Sequence, residues 1–182
     1  MTFLCHAATA SARQGGFSGP GDPLDDGGNR KAAGYKLPAS VELVMVSPAL
    51  AARQTANALA LDASVVDSLR DIDHGAWAGQ GFEAIQRRDA GALSAWLADP
   101  AKGAPGGESL SDVVARVSRW LQAQTERNTH ILAITHPMVV RAALVAALDL
   151  SPASTMRIDI GPLAATHMSF NRIWRLQSLN VD

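Results

Sequence analysis

His130-Ile131-Leu132-Ala133-Ile134-Thr135-His136-Pro137-Met138-Val139-Val140-Arg141 is the stretch on which the fold turns. His130 to Thr135 is apolar and β-branched enough for a strand covered on both faces. Pro137 then occupies a position where a first helical turn needs no backbone N–H, and an apolar helix follows to Leu148. A histidine therefore stands at the joint between a buried strand and the helix after it.

The same grammar repeats outward from this stretch. Thr2 to Cys5 reads as a first strand with His6 at its end, and Val41 to Val46 as a buried strand. Ser47-Pro48 reads as an N-cap and first helical residue for a helix over Ala49 to Leu61. Val65 to Leu69 is a candidate short strand, and Phe82 to Leu97 carries helical patterning with Trp96, broken at Gly91. Glu108 to Gln124 is the clearest helix, with Leu110, Val113, Val114, Val117 and Leu121 on one stripe and Trp120 beside it. Thr155 to Ile160, Thr166 to Phe170 and a segment around Ile173 to Leu179 read as the last strands. Between them lie two connections rich in glycine and proline, Gly15 to Pro38 and Asp99 to Gly107. The first holds one helical turn near Asp26 to Ala33, and a loop of that length in a compact domain is usually functional. Alternating strands and helices predict an α/β fold, a three-layer α/β/α sandwich with a largely parallel central sheet. A chain of 182 residues fits one such domain.

Composition excludes several classes. Sixteen basic against seventeen acidic residues give a net charge of −1, so overall charge offers no argument for nucleic acid or an anionic membrane. Only 18% of residues are charged, below the roughly 25% usual in globular proteins. A single cysteine, Cys5, rules out an internal disulfide, a zinc finger and a Cys-x-x-Cys pair, and fits a reducing, cytoplasmic location. Met1 to Ala12 has no lysine or arginine ahead of its apolar run and contains His6, which argues against a secretory leader. Met138 to Leu150 is cut by Arg141 and ended by Asp149, so no membrane span is expected. No P-loop, G-x-G-x-x-G or G-x-S-x-G pattern is present. His130 and His136 lack an accompanying carboxylate or cysteine cluster, so neither metal nor cofactor is expected.

The remaining chemistry is the pair His6 and His136. Ligands of open α/β sheets bind at the carboxyl ends of strands, where both histidines are expected. On position alone, two unrelated loop histidines remain an equal reading. The surrounding motifs weigh against that. Leu4-Cys5-His6-Ala7-Ala8-Thr9 resembles the L-x-R-H-G-x-T motif of the histidine phosphatase superfamily, also called phosphoglycerate mutase-like. Asp22-Pro23-Leu24 with Gly28 and Ala32, Ser47-Pro48 with Gln54-Thr55-Ala56, and Leu69 to Gly79 resemble further motifs of that family, in its order. Pro105-Gly106-Gly107-Glu108-Ser109 and Thr135-His136-Pro137-Met138-Val139-Val140-Arg141 continue the resemblance almost to the end of the chain.

The resemblance implies a phosphatase working through a phosphohistidine, with a phosphate ester or phosphoprotein as substrate. His6 would be the nucleophile, Asp71 the general acid in place of a glutamate, and His136 a hydrogen-bond donor to the phosphoryl group. A carboxyl group in that role calls for a raised pKa. The resemblance also implies a small helical cap over about residues 79–107. Departures concern charge. The family holds phosphate with two arginines, and here Cys5 and Ala51 stand in their places, with Arg53 two residues on. Ala7 and Pro137 replace glycines beside the two histidines. Thr9, Cys5, Met138 and Arg13 are the candidate phosphate contacts that remain, Arg13 reading equally as a solvated loop residue, and Arg141 is expected at the surface or paired with a carboxylate. His74, where the family has phenylalanine, reads first as core packing and second as a proton shuttle. Cys5 reads as a small buried hydrophobe rather than a nucleophile, and Trp77, Trp96, Trp120 and Trp174 read as packing. Two functions follow: a phosphohydrolase with an altered anion pocket, or a catalytically degenerate relative that binds a ligand or partner. A mutase ranks lower because it needs a more basic pocket. A homodimer through a sheet edge or apolar helix face is compatible with the pattern.

Overall fold

A computed structural model describes residues 1–37 and 41–181. In chain order the elements are β1 (Thr2–Cys5), α1 (Ala10–Arg13), α2 (Asp26–Ala33), β2 (Leu43–Val46), α3 (Leu50–Ala58), β3 (Ser64–Val65), α4 (Phe82–Arg88), α5 (Ala90–Ala98), α6 (Leu110–Gln124), β4 (Ile131–Thr135), α7 (Pro137–Leu148), α8 (Pro152–Thr155), β5 (Ala165–Asn171) and β6 (Ile173–Val181). One six-stranded sheet has the order β3-β2-β4-β1-β5-β6. The first four strands in that order run parallel, and β5 and β6 close the far side antiparallel.

Strand alternation sorts the core into the two outer interfaces of the sandwich. Phe3, Cys5, Met45, Ile131 and Ala133 face α6 and α7, packing with Val113, Val117, Trp120, Val139 and Ala143. Leu4, Val44, Val46, Leu132 and Ile134 face the other way, onto Ala52 and Ala56 of α3. Each of the valine, leucine, isoleucine, methionine and phenylalanine side chains contributes roughly 1.5–3 kcal/mol when fully buried, so both faces hold the central strands. The α6 stripe is as expected, except that Val114 is only partly buried while Arg116 and Gln124 are buried. A reciprocal box starts the helix: the Ser109 hydroxyl accepts from Asp112 N at 3.2 Å and the Asp112 carboxylate accepts from Ser109 N at 2.8 Å.

Several sequence expectations need correction. Thr155 to Ile160 is not a strand. Ser151 caps the short helix α8, Pro152 begins it, and the alternating Met156 to Ile160 carries no ladder. Only Ser64 and Val65 pair as β3, and Asp67–Leu69 is a 3₁₀ turn. The break between α4 and α5 falls at Asp89, which ends one helix and whose carboxylate accepts from Ala92 N to start the next; Gly91 lies inside α5. Ala49, not Ser47, is the α3 N-cap, and it makes no side-chain cap bond. The first loop contains the eight-residue α2, longer than one turn; Pro38, the residue at which the loop was expected to end, lies outside the described residues.

The segment between β3 and α6 has its own apolar cluster, in which Phe17, Trp77, Ile85, Leu93 and Ala104 pack with Phe82 and Trp96. It is tied down at a crossing of two glycines. A Cβ on Gly75, whose φ is +51°, would lie 2.6 Å from Gly107 N, and one on Gly107 would lie 2.2 Å from Asp73 O. Only glycines let these two backbones cross, and the crossing fixes the loop that carries residues 70–74.

Candidate active site

Three adjacent parallel strands deliver three polar side chains to one edge of the sheet. Ser47 follows β2, His136 follows β4 and His6 follows β1. The ladder continues past the strand ends, with His6 N donating to Thr135 O at 2.9 Å and Ser47 N to Ile134 O at 3.0 Å. The two imidazoles meet with ring centroids 4.9 Å apart and planes at 64°. They line a cavity of about 400 Å³ together with Thr9, Ser18, Ala51, Asp71 and His74.

Ring nitrogens are assigned by their partners. His6 Nδ1 lies 2.7 Å from the Ala7 carbonyl, which only accepts, so Nδ1 carries the proton and Nε2 keeps its lone pair. His136 Nε2 lies 2.8 Å from Ser47 Oγ, which already accepts from Ala49 N at 3.2 Å. The hydroxyl proton then points to Nε2, and the His136 proton sits on Nδ1, 3.4 Å from Asp71 Oδ2. That Nδ1 is buried with no hydrogen-bond partner. Burial pushes the His136 pKa down to about 4, against the pull of Asp71 and with the help of positive charge at His6, Arg116 and His74. His136 is a neutral donor at neutral pH.

Asp71 is held on both oxygens: Oδ2 accepts from Ser18 Oγ at 3.1 Å and Oδ1 from Ile72 N at 2.9 Å. Burial works to raise its pKa, but the charges of His136, His74 and His6 and the Ile72 N–H outweigh burial and hold the carboxyl below its ordinary value. The raised pKa expected of a general acid is thus absent from the ligand-free cavity. The segment that carries Asp71 is clamped from outside. Arg116 of α6 donates to Ser68 O and Asp71 O, each at 2.9 Å, and pairs with Glu108 at 3.3 Å. Glu108 in turn binds Arg70 at 2.8 Å and Asp73 N at 3.0 Å.

Of the residues singled out from sequence, His6, His136, Asp71, Thr9 and Ala51 line the cavity, and so does His74. Thr9 is buried and caps α1, accepting from Ala12 N at 3.3 Å. Arg13 is turned away: its guanidinium pairs with Asp25, half-exposed, and does not line the cavity. Cys5 is 1% exposed in the core beneath His6, and burial, reinforced by Asp71 and opposed by Arg141, pushes its thiol far above the ordinary range. Met138 packs on the core and accepts from Arg141 Nη1 at 3.5 Å, so neither it nor Cys5 reaches the cavity. Arg141 is partly buried, donates to Thr155 O and Ile158 O at 2.8–3.2 Å, and feels the nearby carboxylate of Asp159. Arg53 is exposed on the outside of α3. His74 does pack edge-on against Phe17, with centroids 5.1 Å apart, but its ring also faces the cavity.

Sequence reasoning missed Ser18, Arg70 and Arg116. Nothing local marks Ser18, which lies in the first glycine-rich loop. Arg116 left a trace: it falls three residues after Val113 on the buried stripe, where a surface arginine does not belong. Among the described residues no group of three or more histidine, cysteine, aspartate or glutamate side chains is arranged to hold a metal ion, and no helix is long and apolar enough to cross a membrane.

A bifunctional protein of Mycobacterium tuberculosis is 33% identical over 171 residues, 88% of this chain and 47% of that one. Phosphoserine phosphatase 1 of Hydrogenobacter thermophilus is 30% identical over 128 residues, 68% of this chain and 61% of that one. The chain spans about half to three-fifths of the length of these curated relatives. Among solved structures, a mycobacterial glucosyl-3-phosphoglycerate phosphatase in complex with VO3 superposes with a TM-score of 0.84 at 25% identity, covering 100% of this chain and 98% of that one. The alpha-ribazole phosphatase of Shigella flexneri shares the fold, with a TM-score of 0.86 at 21% identity over 100% and 96% of the two chains. The model of the histidine phosphatase superfamily (branch 1) matches residues 1–182, and the chain belongs to that superfamily.

Proposed function

We propose that this chain is a phosphohydrolase that cleaves a phosphomonoester, small or protein-borne, through a phosphohistidine at His6, in an anion pocket altered by the loss of both arginines. The observation that carries the reading is the His6 ring, which lines the cavity beside His136 and Asp71 and donates Nδ1–H to the Ala7 carbonyl at 2.7 Å, so that the neutral tautomer carries its lone pair on Nε2. A neutral imidazole so oriented is a competent nucleophile near pH 7.

In the first step Nε2 attacks phosphorus, the bond from phosphorus to the ester oxygen breaks, and the leaving oxygen takes a proton from Asp71. In the second, Asp71 takes a proton from water as the water oxygen attacks the phosphohistidine, and the P–N bond breaks to release phosphate. Asp71 begins ionised in the empty cavity, so it gains its first proton when the phosphoryl anion arrives and raises its pKa. The Nδ1–H of His136, buried 3.4 Å from Asp71 Oδ2, would pass from that carboxylate to a phosphoryl oxygen once Asp71 is protonated.

The helical segment between Trp77 and Ala104, with its aromatic cluster around Phe17, would serve as the cap that selects the alcohol portion of the ester. The whole chain would act as one catalytic domain, in a compartment that leaves the buried Cys5 reduced. One observation favours a second reading, a ligand-binding relative without turnover: Arg70 is the one arginine or lysine lining the cavity among the described residues, and Glu108 holds it at 2.8 Å. A phosphomonoester panel run on the wild type and His6→Ala, with acid quenching to trap the acid-labile phosphohistidine, separates the two. Turnover that falls at least about a thousandfold in His6→Ala, together with a trapped adduct, is the expected result. Equal turnover in both proteins sinks the mechanism, and no turnover in either sinks the hydrolase.

A further inference from the structure

The charge lining this cavity is unusual for a site that takes an anion. Asp22, Asp71, Asp73 and Glu108 border it, and the single lining guanidinium, Arg70, is bound to Glu108. A phosphate dianion entering here meets carboxylates and needs a positive partner. The imidazoles are the remaining source of one. His6 Nδ1 is committed to the Ala7 carbonyl and its Nε2 to the proposed attack; His136 Nε2 is committed to Ser47 and its Nδ1 lies beside Asp71. His74 differs from both. Its ring lines the cavity and rests edge-on against Phe17 at 5.1 Å, with planes at 70°, while neither ring nitrogen makes a hydrogen bond to the described residues. Packing fixes the plane of the ring and leaves its donors free.

We propose that His74 is the phosphoryl-binding cation of this cavity, taking up a proton as the oxyanion enters and donating a charged N–H to it. The assignment rests on reading the cavity as a phosphate-ester site. In the empty cavity burial favours the neutral ring, with Asp71 and Asp73 of the same loop pulling the other way. Facing groups from other elements are His6 after β1, His136 before α7, Asp22 from the first loop, and the Arg70–Glu108 pair, whose charges largely cancel; Phe17 adds no charge. A dianion at contact distance tips this balance, so binding and protonation are linked. Between the free and bound pKa values of His74, affinity falls by up to about tenfold per pH unit as pH rises.

Sulfate is the probe, because it stays a dianion across the window and its own titration adds nothing. Calorimetric titration of the wild type with sulfate is expected to give affinity at about pH 5.5 at least about tenfold above that at about pH 8. Near neutral pH, buffers of different ionisation enthalpy should report uptake of close to one proton. In His74→Phe, which keeps a ring against Phe17, both the slope and the uptake should vanish. In His74→Gln, a donor that cannot charge, some affinity should return without the slope. His167→Gln, beside Thr2 and outside the cavity, should keep both. If His74→Phe or His74→Gln retains the slope and the uptake, the assignment is overturned. Sulfate binding needs no turnover. Uptake that depends on His74 in a protein that hydrolyses no ester would uphold the assignment while removing the phosphatase reading, and hydrolysis with sulfate binding indifferent to residue 74 would do the reverse.

Discussion

Arg116→Met tests whether the loop bearing Asp71 is set in place by α6. The guanidinium donates to two carbonyls, Ser68 O and Asp71 O, at 2.9 Å each, and its side chain is 10% exposed, so solvent cannot replace it readily. Its loss does not strand Glu108, which keeps Arg70 at 2.8 Å and Asp73 N at 3.0 Å. The cost therefore falls on two part-buried acceptors facing an apolar side chain. Each unsatisfied group costs about 1–3 kcal/mol, and the methionine recovers part of this through packing, so about 3 kcal/mol is expected. For a domain of this size that is a fall in Tm of about 6–12 °C. Arg119→Met is the control: the residue lies on the exposed side of the same helix and bonds only its own Ala115 carbonyl, so a change within about 0.5 kcal/mol is expected. Thermal unfolding gives the stability, and ester hydrolysis below the transition gives the function. Because Asp71 moves with its carbonyl, kcat should fall by at least about tenfold in Arg116→Met with KM changed less. A Tm within about 2 °C of wild type, or lost stability with kcat intact, would refute the clamp.

Two further outcomes are expected. Ala51→Arg places a guanidinium where a methyl group lines the cavity, and sulfate affinity should rise at least about tenfold at a pH near 8, where His74 contributes least; an unchanged affinity would mean that α3 does not present position 51 to the anion. His136 has a folded-state pKa of about 4 against an unfolded value of about 6.5, so the unfolded chain binds the extra proton. Its burial as a neutral ring is therefore without penalty above about pH 6.5, and about 3 kcal/mol of stability is lost as pH falls from there to about 4. Urea unfolding of wild type and His136→Gln across that range should differ in slope by about one proton, and parallel curves would show that His136 titrates normally.

Legibility in the sequence followed the length scale of each interaction. β1, β2 and β4 announce themselves because both faces of a central parallel strand are covered, which forces continuous apolar runs, and the polar residue that ends each run is the site residue. His6 and His136 could be read for that reason. Thr155 to Ile160 misled because its alternation mimics a half-buried strand, while Ser151-Pro152, a helix-start signal, was the stronger local instruction. Arg13 misled for another reason. It lies in the loop after His6, and only the fold reveals that Asp25, twelve residues on, is its partner. Contacts across the sheet edge, such as Ser18 to Asp71 or Ser47 to His136, span 53 and 89 residues and leave no periodic trace.

The fates of the arginines bear on how an anion site works here. Arg116 and Arg141, the two that reach furthest inward, donate to backbone carbonyls of loops, at Ser68 and Asp71 in one case and at Thr155 and Ile158 in the other. Both hold geometry rather than substrate. A permanent guanidinium in the cavity would attract every oxyanion at every pH. On the reading proposed for His74, an imidazole kept neutral by burial would not, because its charge would appear only when a ligand brings enough negative potential to draw a proton in. Selectivity then depends on the ligand's charge and on the ambient pH together. The carboxylates Asp71 and Asp73 make that dependence steeper: they repel a weakly charged oxyanion, and beside a dianion that has drawn in a proton they stabilise the resulting imidazolium.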